Sequence, residues 1–181
     1  MPMSVGILIF EGFEILDVFG PVELLGLLPE HFEVHLVAER AGAVKSAQGP
    51  QAVAAHGFAD GIAYNIILVP GGPGTRRAVA NSEVLNWIRT QAKQAKFVTS
   101  VCTGSGLLAK AGILDGHKAT TNKMNFKWPA SQGPNVDWVY EARWVEDGNI
   151  LTSSGVSAGM DMTLALISRA AGQEAAERAA L

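Results

Sequence analysis

The sequence predicts an α/β fold, a doubly wound and mostly parallel sheet with helices on both faces. Three observations predict it. Continuous apolar runs of strand length occur at residues 5–10 (VGILIF) and 65–69 (NIILV), the pattern of strands buried on both faces of a parallel sheet. Strand-like and helix-like stretches alternate through the first two-thirds of the chain. Finally, three strand-like runs stop abruptly: residues 5–10 at Glu11-Gly12-Phe13, residues 65–69 at Pro70-Gly71-Gly72-Pro73-Gly74, and residues 97–101 at Cys102-Thr103-Gly104-Ser105-Gly106. Ligands of doubly wound sheets sit at the carboxyl ends of the strands. The loops 11–17, 70–74 and 102–106 are therefore expected to share one crevice.

The elements follow in order. Residues 15–28 read as a helix or two helical pieces, with Leu16, Phe19, Leu24, Leu25 and Leu28 apolar; Pro21 either opens the second piece or kinks the first, and Pro29 ends it. Residues 32–38 alternate as a second strand. Residues 44–46 and 52–55 flank Gln48-Gly49-Pro50 and suggest a β-ribbon. Residues 82–95 form a helix capped by Asn81 or Ser82. Past the third corner, residues 107–111 are helical, 118–121 strand-like and 124–128 a short helix. Residues 136–141, 143–146 and 149–152 are short strands, the last two joined by a hairpin turn at Asp147-Gly148. A final helix spans 159–171, and the alanine-rich tail extends it.

The 181 residues are 48% hydrophobic and 17% charged, as expected of one globular domain over residues 1–181. A net charge of −3 argues against a nucleic-acid partner, which needs a concentrated basic face. The start shows no secretory signal, and no apolar run reaches membrane-spanning length. A single cysteine forms no internal disulfide. A cytoplasmic protein with no membrane partner is the expectation.

That cysteine, Cys102, sits where a short β-type run ends and a helix begins. A lone cysteine is commonly an inert buried residue. On a strand–turn–helix elbow, however, it stands before backbone N–H groups that have no partner in the helix, and their positive end favours a thiolate. Cys102 is thus the candidate nucleophile. Asp17, flanked by Ile15, Leu16, Val18 and Phe19, is a candidate general acid–base if burial raises its pKa. A solvated position near a helix start is the plainer alternative, and Glu14 and Glu23 compete for the role. The glycines of 70–74 make either an oxyanion hole facing Cys102 or only a tight turn. Arg76-Arg77 is a solvated pair that adjoins this turn and could attract an anion.

Two motif matches lead elsewhere. Residues 104–109 (GSGLLA) fit the dinucleotide pattern, but no acidic residue lies near position 124 and the match is not at the first strand. Residues 155–159 (GVSAG) fit a serine-hydrolase elbow, yet His31, His35, His56 and His117 all precede Ser157, against the order of that fold. No histidine, cysteine and carboxylate cluster has metal-ligand spacing.

Taken together, Asp17 four residues before Pro21, the turn 70–74, Val101-Cys102-Thr103-Gly104, Ala119-Thr120-Thr121, residues 148–152 (GNILT) and 158–161 (AGMD) resemble the ThiJ/PfpI superfamily. The resemblance covers nearly the whole chain. It implies a flavodoxin-like sheet with a nucleophile elbow, and a homodimer. Cys102-Thr103 with Asp17 is most similar to the isocyanide (isonitrile) hydratase branch. The protease branch has histidine after the cysteine, the deglycase branch usually has glutamate at the position of Asp17, and a transcription-factor branch appends a DNA-binding domain. Many relatives read ATTH where this chain has Asn122, so a Cys–His dyad is not expected.

The resemblance implies a hydro-lyase acting on a small molecule without metal or organic cofactor. Cys102 would attack the isocyanide carbon to give a thioimidate, and Asp17 would move protons and steer water onto that carbon. The Thr103 hydroxyl would orient the thiol. The amides of Gly71, Gly72 and Thr103 would hold developing charge and Asn122 would bind substrate or that charge, with Phe126 or Trp128 as candidate pocket walls. Glyoxalase or deglycase action on small carbonyls, and a thiol redox sensor without turnover, are the competing readings.

Overall fold

The computed structural model describes residues 1–181. In chain order the elements are β1 (Met3–Leu8), α1 (Ile15–Gly26), β2 (Phe32–Ala38), β3 (Gly42–Lys45), β4 (Gln51–Ala54), β5 (His56–Gly57), β6 (Ile66–Val69), α2 (Thr75–Ala78), α3 (Ser82–Ala92), β7 (Phe97–Ser100), α4 (Gly104–Lys110), β8 (Lys118–Ala119), α5 (Lys127–Gln132), β9 (Asp137–Trp138), β10 (Trp144–Asp147), β11 (Ile150–Ser153), α6 (Ser157–Ala171) and α7 (Gln173–Ala180).

Seven strands form the central sheet in the order β10-β11-β7-β6-β1-β2-β5. Only the edge hairpin β10–β11 is antiparallel; the other five pairings are parallel. The apolar runs are buried because they feed two cores by turns. Along β6, Ile66 and Leu68 face a cluster with Val18 and Leu25 of α1 and Met162, Leu166 and Ile167 of α6. Ile67 and Val69 face the opposite cluster, with Val84, Leu85 and Ile88 of α3 and Leu107 and Leu108 of α4. This two-residue alternation puts helices on both faces. Each such leucine, fully buried, contributes about 1.5–3 kcal/mol.

The chain leaves β1 towards β2 and β5 on one side, and returns through β6 to β7 and β11 on the other. The reversal lies between β1 and β6, the point where doubly wound sheets open a crevice. Asp17 follows β1, Gly71 follows β6 and Cys102 follows β7. The three loops meet there as expected. The loops after β1 and β6 are joined by main-chain bonds, Glu14 N–H to Gly71 O at 2.9 Å and Gly74 N–H to Gly12 O at 3.0 Å.

Several elements differ from the sequence reading, each for a local reason. α1 is one helix through Pro21, as one of the two alternatives had it, but it ends at Gly26, with Leu27 as its cap. The ribbon β3–β4 and the Asp147-Gly148 hairpin form as expected, and Asn81 caps α3 by accepting Glu83 N–H. The helix expected at 124–128 begins instead at Lys127. Asn122 Oδ1 binds Asn125 N–H at 3.0 Å and closes a turn first, and Pro129 then falls in the first helical turn, where its missing N–H is not needed. Of residues 136–141 only β9 pairs as strand, because side chains take the carbonyls beyond it. Thr120 Oγ1 donates to Val139 O and Lys123 Nζ to Ala142 O. The tail does not extend α6: Gly172, at φ 99°, ends it and α7 starts anew. The short strand β5 and helix α2 carry no periodic signal and were not expected.

No helix is long and apolar enough to cross a membrane.

Candidate active site

Cys102 occupies the corner between β7 and α4 with a left-handed backbone, φ 56°, a conformation uncommon for a residue with a side chain. Its neighbours hold it there. The Cys102 N–H is shared between the carbonyls of Ser153 and Ser154, at 3.1 and 3.2 Å. The Cys102 carbonyl accepts the hydroxyls of Thr121 at 2.9 Å and Ser105 at 3.3 Å. Two glycines permit the fit. A Cβ on Gly71 would lie 2.6 Å from Thr103 N and 2.8 Å from Cys102 Cβ, and one on Gly104 would run into the Val69 carbonyl.

Around the sulfur stand one carboxyl and two N–H donors. Asn122 Nδ2 donates to Sγ at 3.2 Å. Because Asn122 Oδ1 is the acceptor for Asn125 N–H, the amide orientation follows from a backbone donor. The Thr103 N–H faces the sulfur as well. Asp17, in the first turn of α1, is fully buried. Its Oδ2 accepts the Gly71 N–H at 3.0 Å, while Oδ1 has no hydrogen-bond partner. The carboxyl lies beside the Cys102 thiol. Glu23 is exposed, and Glu14 lines the cavity with Oε1 accepting from Gln48 Nε2 at 2.8 Å. Among the three candidate carboxyls, only Asp17 is buried against the thiol.

Burial raises the pKa of Asp17 to about 7; the Gly71 N–H opposes the shift and the charge of Glu14 adds to it. Burial likewise pushes the Cys102 thiol up to about 12, the charge of Asp17 adds to this, and the Thr103 and Asn122 N–H groups oppose it. The expectation of a thiolate near neutrality is therefore reversed. Cys102 is only 7% exposed, and the end dipole of the seven-residue α4 does not outweigh desolvation beside a carboxylate.

Three further assignments change. The Gly71 N–H holds Asp17, and the Gly72 N–H donates to Thr103 Oγ1 at 3.1 Å. Neither amide points free into an oxyanion hole; both position the site. The Thr103 hydroxyl turns to Gly72 and to Thr75 Oγ1, 3.3 Å away, and does not orient the thiol; the Thr103 amide meets the sulfur as expected. Phe126 packs on Trp138 and Tyr140, and Trp128 lies beneath Arg76; neither lines the cavity.

The cavity over the sulfur has a volume of about 330 Å³, and its wall includes Glu14, Gly72, Arg76, Cys102, Asn122 and Val156. Val156, in the GVSAG stretch that fits a serine-hydrolase elbow, is not among the site residues expected from the sequence. Val156 has φ 38°, the kind of strained backbone that gathers at functional sites, and Ser157 merely begins α6. Arg76-Arg77 is split. Arg76 enters this cavity, and Arg77 enters a second one of about 440 Å³ beside Glu11 and Arg40. Cys102 lines only the smaller cavity, and the fully buried Asp17 lines neither.

The chain matches the DJ-1/PfpI family over residues 3–169. It is 37% identical over 179 residues to isonitrile hydratase of Pseudomonas putida, covering 98% of this chain and 76% of that protein. It is also 31% identical over 178 residues to the HTH-type transcriptional regulator GbdR of Pseudomonas aeruginosa, covering 96% of this chain but only 48% of the regulator. A THiJ/PfpI family protein from Pseudomonas syringae superposes with a TM-score of 0.90 at 31% identity, over 99% of this chain and 73% of that one. Drosophila melanogaster DJ-1beta superposes with a TM-score of 0.88 at 22% identity, over 99% of this chain and 96% of that one, a likeness of fold. The matched span includes the corner cysteine, the buried aspartate and the glycine turn: this chain belongs to the DJ-1/PfpI family.

Proposed function

We propose that the protein hydrates isocyanides to N-substituted formamides, R–N≡C + H₂O → R–NH–CHO, with Cys102 as covalent nucleophile. One observation carries the reading. At the cavity floor the Cys102 thiol lies beside the buried Asp17 carboxyl, burial raises the pKa of both groups, and the side chain donating to the sulfur is a neutral amide. The similarity to isonitrile hydratase supports it.

The chemistry asks for this arrangement. The terminal carbon of an isocyanide carries a lone pair and must gain a proton as a nucleophile adds to it. Asp17 takes the thiol proton and delivers it to that carbon while sulfur forms the S–C bond, giving R–N=CH–S–Cys102. The Asn122 and Thr103 N–H groups steady the sulfur while it is charged. Asp17 then draws a proton from water as the water oxygen adds to the same carbon, and passes that proton to the nitrogen. Collapse of R–NH–CH(OH)–S–Cys102 breaks the C–S bond, releases the formamide and returns the proton to sulfur. Two moderate barriers replace one high barrier, and a pKa of about 7 suits a group that both gives and takes protons. A peroxide sensor would need a standing thiolate, which burial disfavours here.

The test is turnover of an aryl isocyanide, followed as formamide, beside Cys102→Ala and Asp17→Asn. Absence of product across varied isocyanides removes the assignment, and full activity in Cys102→Ala removes the nucleophile. The reading includes a homodimer. Leu16 and Phe19 on α1 and Val53 on the ribbon leave apolar surface exposed, and sedimentation velocity decides its stoichiometry.

A further inference from the structure

Arg76 is the one cation on the wall of the catalytic cavity. It is not tied up elsewhere. The arginine ion pairs of this protein belong to Arg143, Arg169 and Arg178, and Arg76 instead stacks on Trp128, its guanidinium carbon 3.7 Å from the ring centroid. Trp128 in turn packs on Gly106 in α4, where a Cβ would come within 2.8 Å of the indole. The guanidinium is thus fixed through Trp128 to the helix that begins at the Cys102 corner. Stacking on an aromatic face leaves the in-plane N–H fork free to bind an anion. The other charged group on the wall, Glu14, is on the loop before α1 and already accepts from Gln48. The cavity therefore has one acidic and one basic side, with Thr75, Asn122 and Asn125 adding polar wall. Pro73 and Val156 can receive a hydrocarbon portion of the substrate, but a purely hydrocarbon R group leaves the Arg76 fork without a partner.

We infer that the substrate bears a carboxylate near its reacting carbon and that Arg76 binds it, making Arg76 the specificity-determining residue of the site. The identity of the reacting group rests on the hydratase reading; the preference for an anion does not. The two are separated by two measurements. In the first, Cys102 is alkylated with iodoacetate and with iodoacetamide at one pH, and the ratio of the two rates is taken, so that the thiolate fraction cancels. Arg76→Gln lowers the iodoacetate/iodoacetamide ratio about tenfold, as loss of a charged hydrogen-bond partner predicts. Arg77→Gln, which changes the neighbouring cavity, leaves the ratio as it is. In the unaltered protein the ratio falls as salt rises, so the result does not depend on one variant folding. A ratio unchanged by both salt and Arg76→Gln overturns the inference.

In the second measurement, isocyanoacetate and its methyl ester are compared as substrates. The acid has the lower KM, and Arg76→Gln removes most of that advantage. Turnover of both compounds with no such advantage overturns the inference and leaves the hydratase reading standing. Turnover of neither, nor of any other isocyanide, with the alkylation ratio still sensitive to Arg76, ends the hydratase reading and leaves the anion site standing for another electrophile.

Discussion

Asn122 donates its Nδ2 proton to the Cys102 sulfur across 3.2 Å while its own oxygen is held by the Asn125 amide. The donor is neutral and does not titrate, so it stabilises a thiolate without being able to take its proton. In the proposed reaction that task falls to Asp17. Asn122→Ala removes a hydrogen bond to a charged atom, a loss of about 1.5–3 kcal/mol. The expected result is roughly a tenfold or greater fall in the Cys102 alkylation rate at fixed pH, measured by mass spectrometry against time.

The thiol itself is expected to react slowly. A rise from 9.0 to about 12 is about three decades of thiolate fraction. At pH 8, iodoacetamide should label Cys102 on the order of a thousandfold more slowly than an exposed cysteine. Asp17→Asn removes the neighbouring negative charge and should speed labelling while abolishing turnover. Fast labelling of the unaltered protein at pH 7 would contradict the buried, protonated thiol.

Stability has a matching pH signature. The folded pKa of Asp17 is raised from 3.8 to about 7, so the folded state binds its proton more tightly than the unfolded state does. The resulting stabilisation is complete below about pH 4 and is lost as pH rises through about 7. The swing is on the order of 4 kcal/mol. Asp17→Asn keeps an acceptor for the Gly71 N–H and carries no charge. Its stability relative to the parent should be greater at pH 8 than at pH 4, as read from urea midpoints at the two pH values.

Two glycine substitutions should act in opposite directions. Gly71→Ala places a methyl 2.6 Å from Thr103 N, on backbone that cannot yield, and should destabilise by about 1–3 kcal/mol with loss of activity. Gly26→Ala, at the end of α1 with nothing within 4 Å of the new Cβ, should raise stability by about 0.5 kcal/mol. Thermal melts compare them.

Much of this was readable in the chain because it depends on neighbours in sequence. The apolar run before Pro70 suits a buried strand by its length and its abrupt stop, and the small residues after Val101 suit a corner. Their convergence followed from the rule that such corners share one edge of the sheet. What depended on distant residues was not readable. The acidity of Cys102 turns first on its burial and then on a carboxyl 85 positions earlier, and the orientation of Arg76 turns on an indole 52 positions later. The Gly71 and Gly72 amides looked available because their partners, Asp17 and the Thr103 hydroxyl, are brought in by other elements. Val156 was hidden because its strain belongs to the backbone and not to its residue type.

The corner at Cys102 is braced almost wholly by peptide groups and by small hydroxyls, whereas Glu14, Arg76 and Val156 reach the cavity from three separate segments. Such a division makes the mouth evolvable. Exchanges at those three positions can retarget what enters while the machinery beneath stays put, and one scaffold can thereby serve many ligands without being rebuilt.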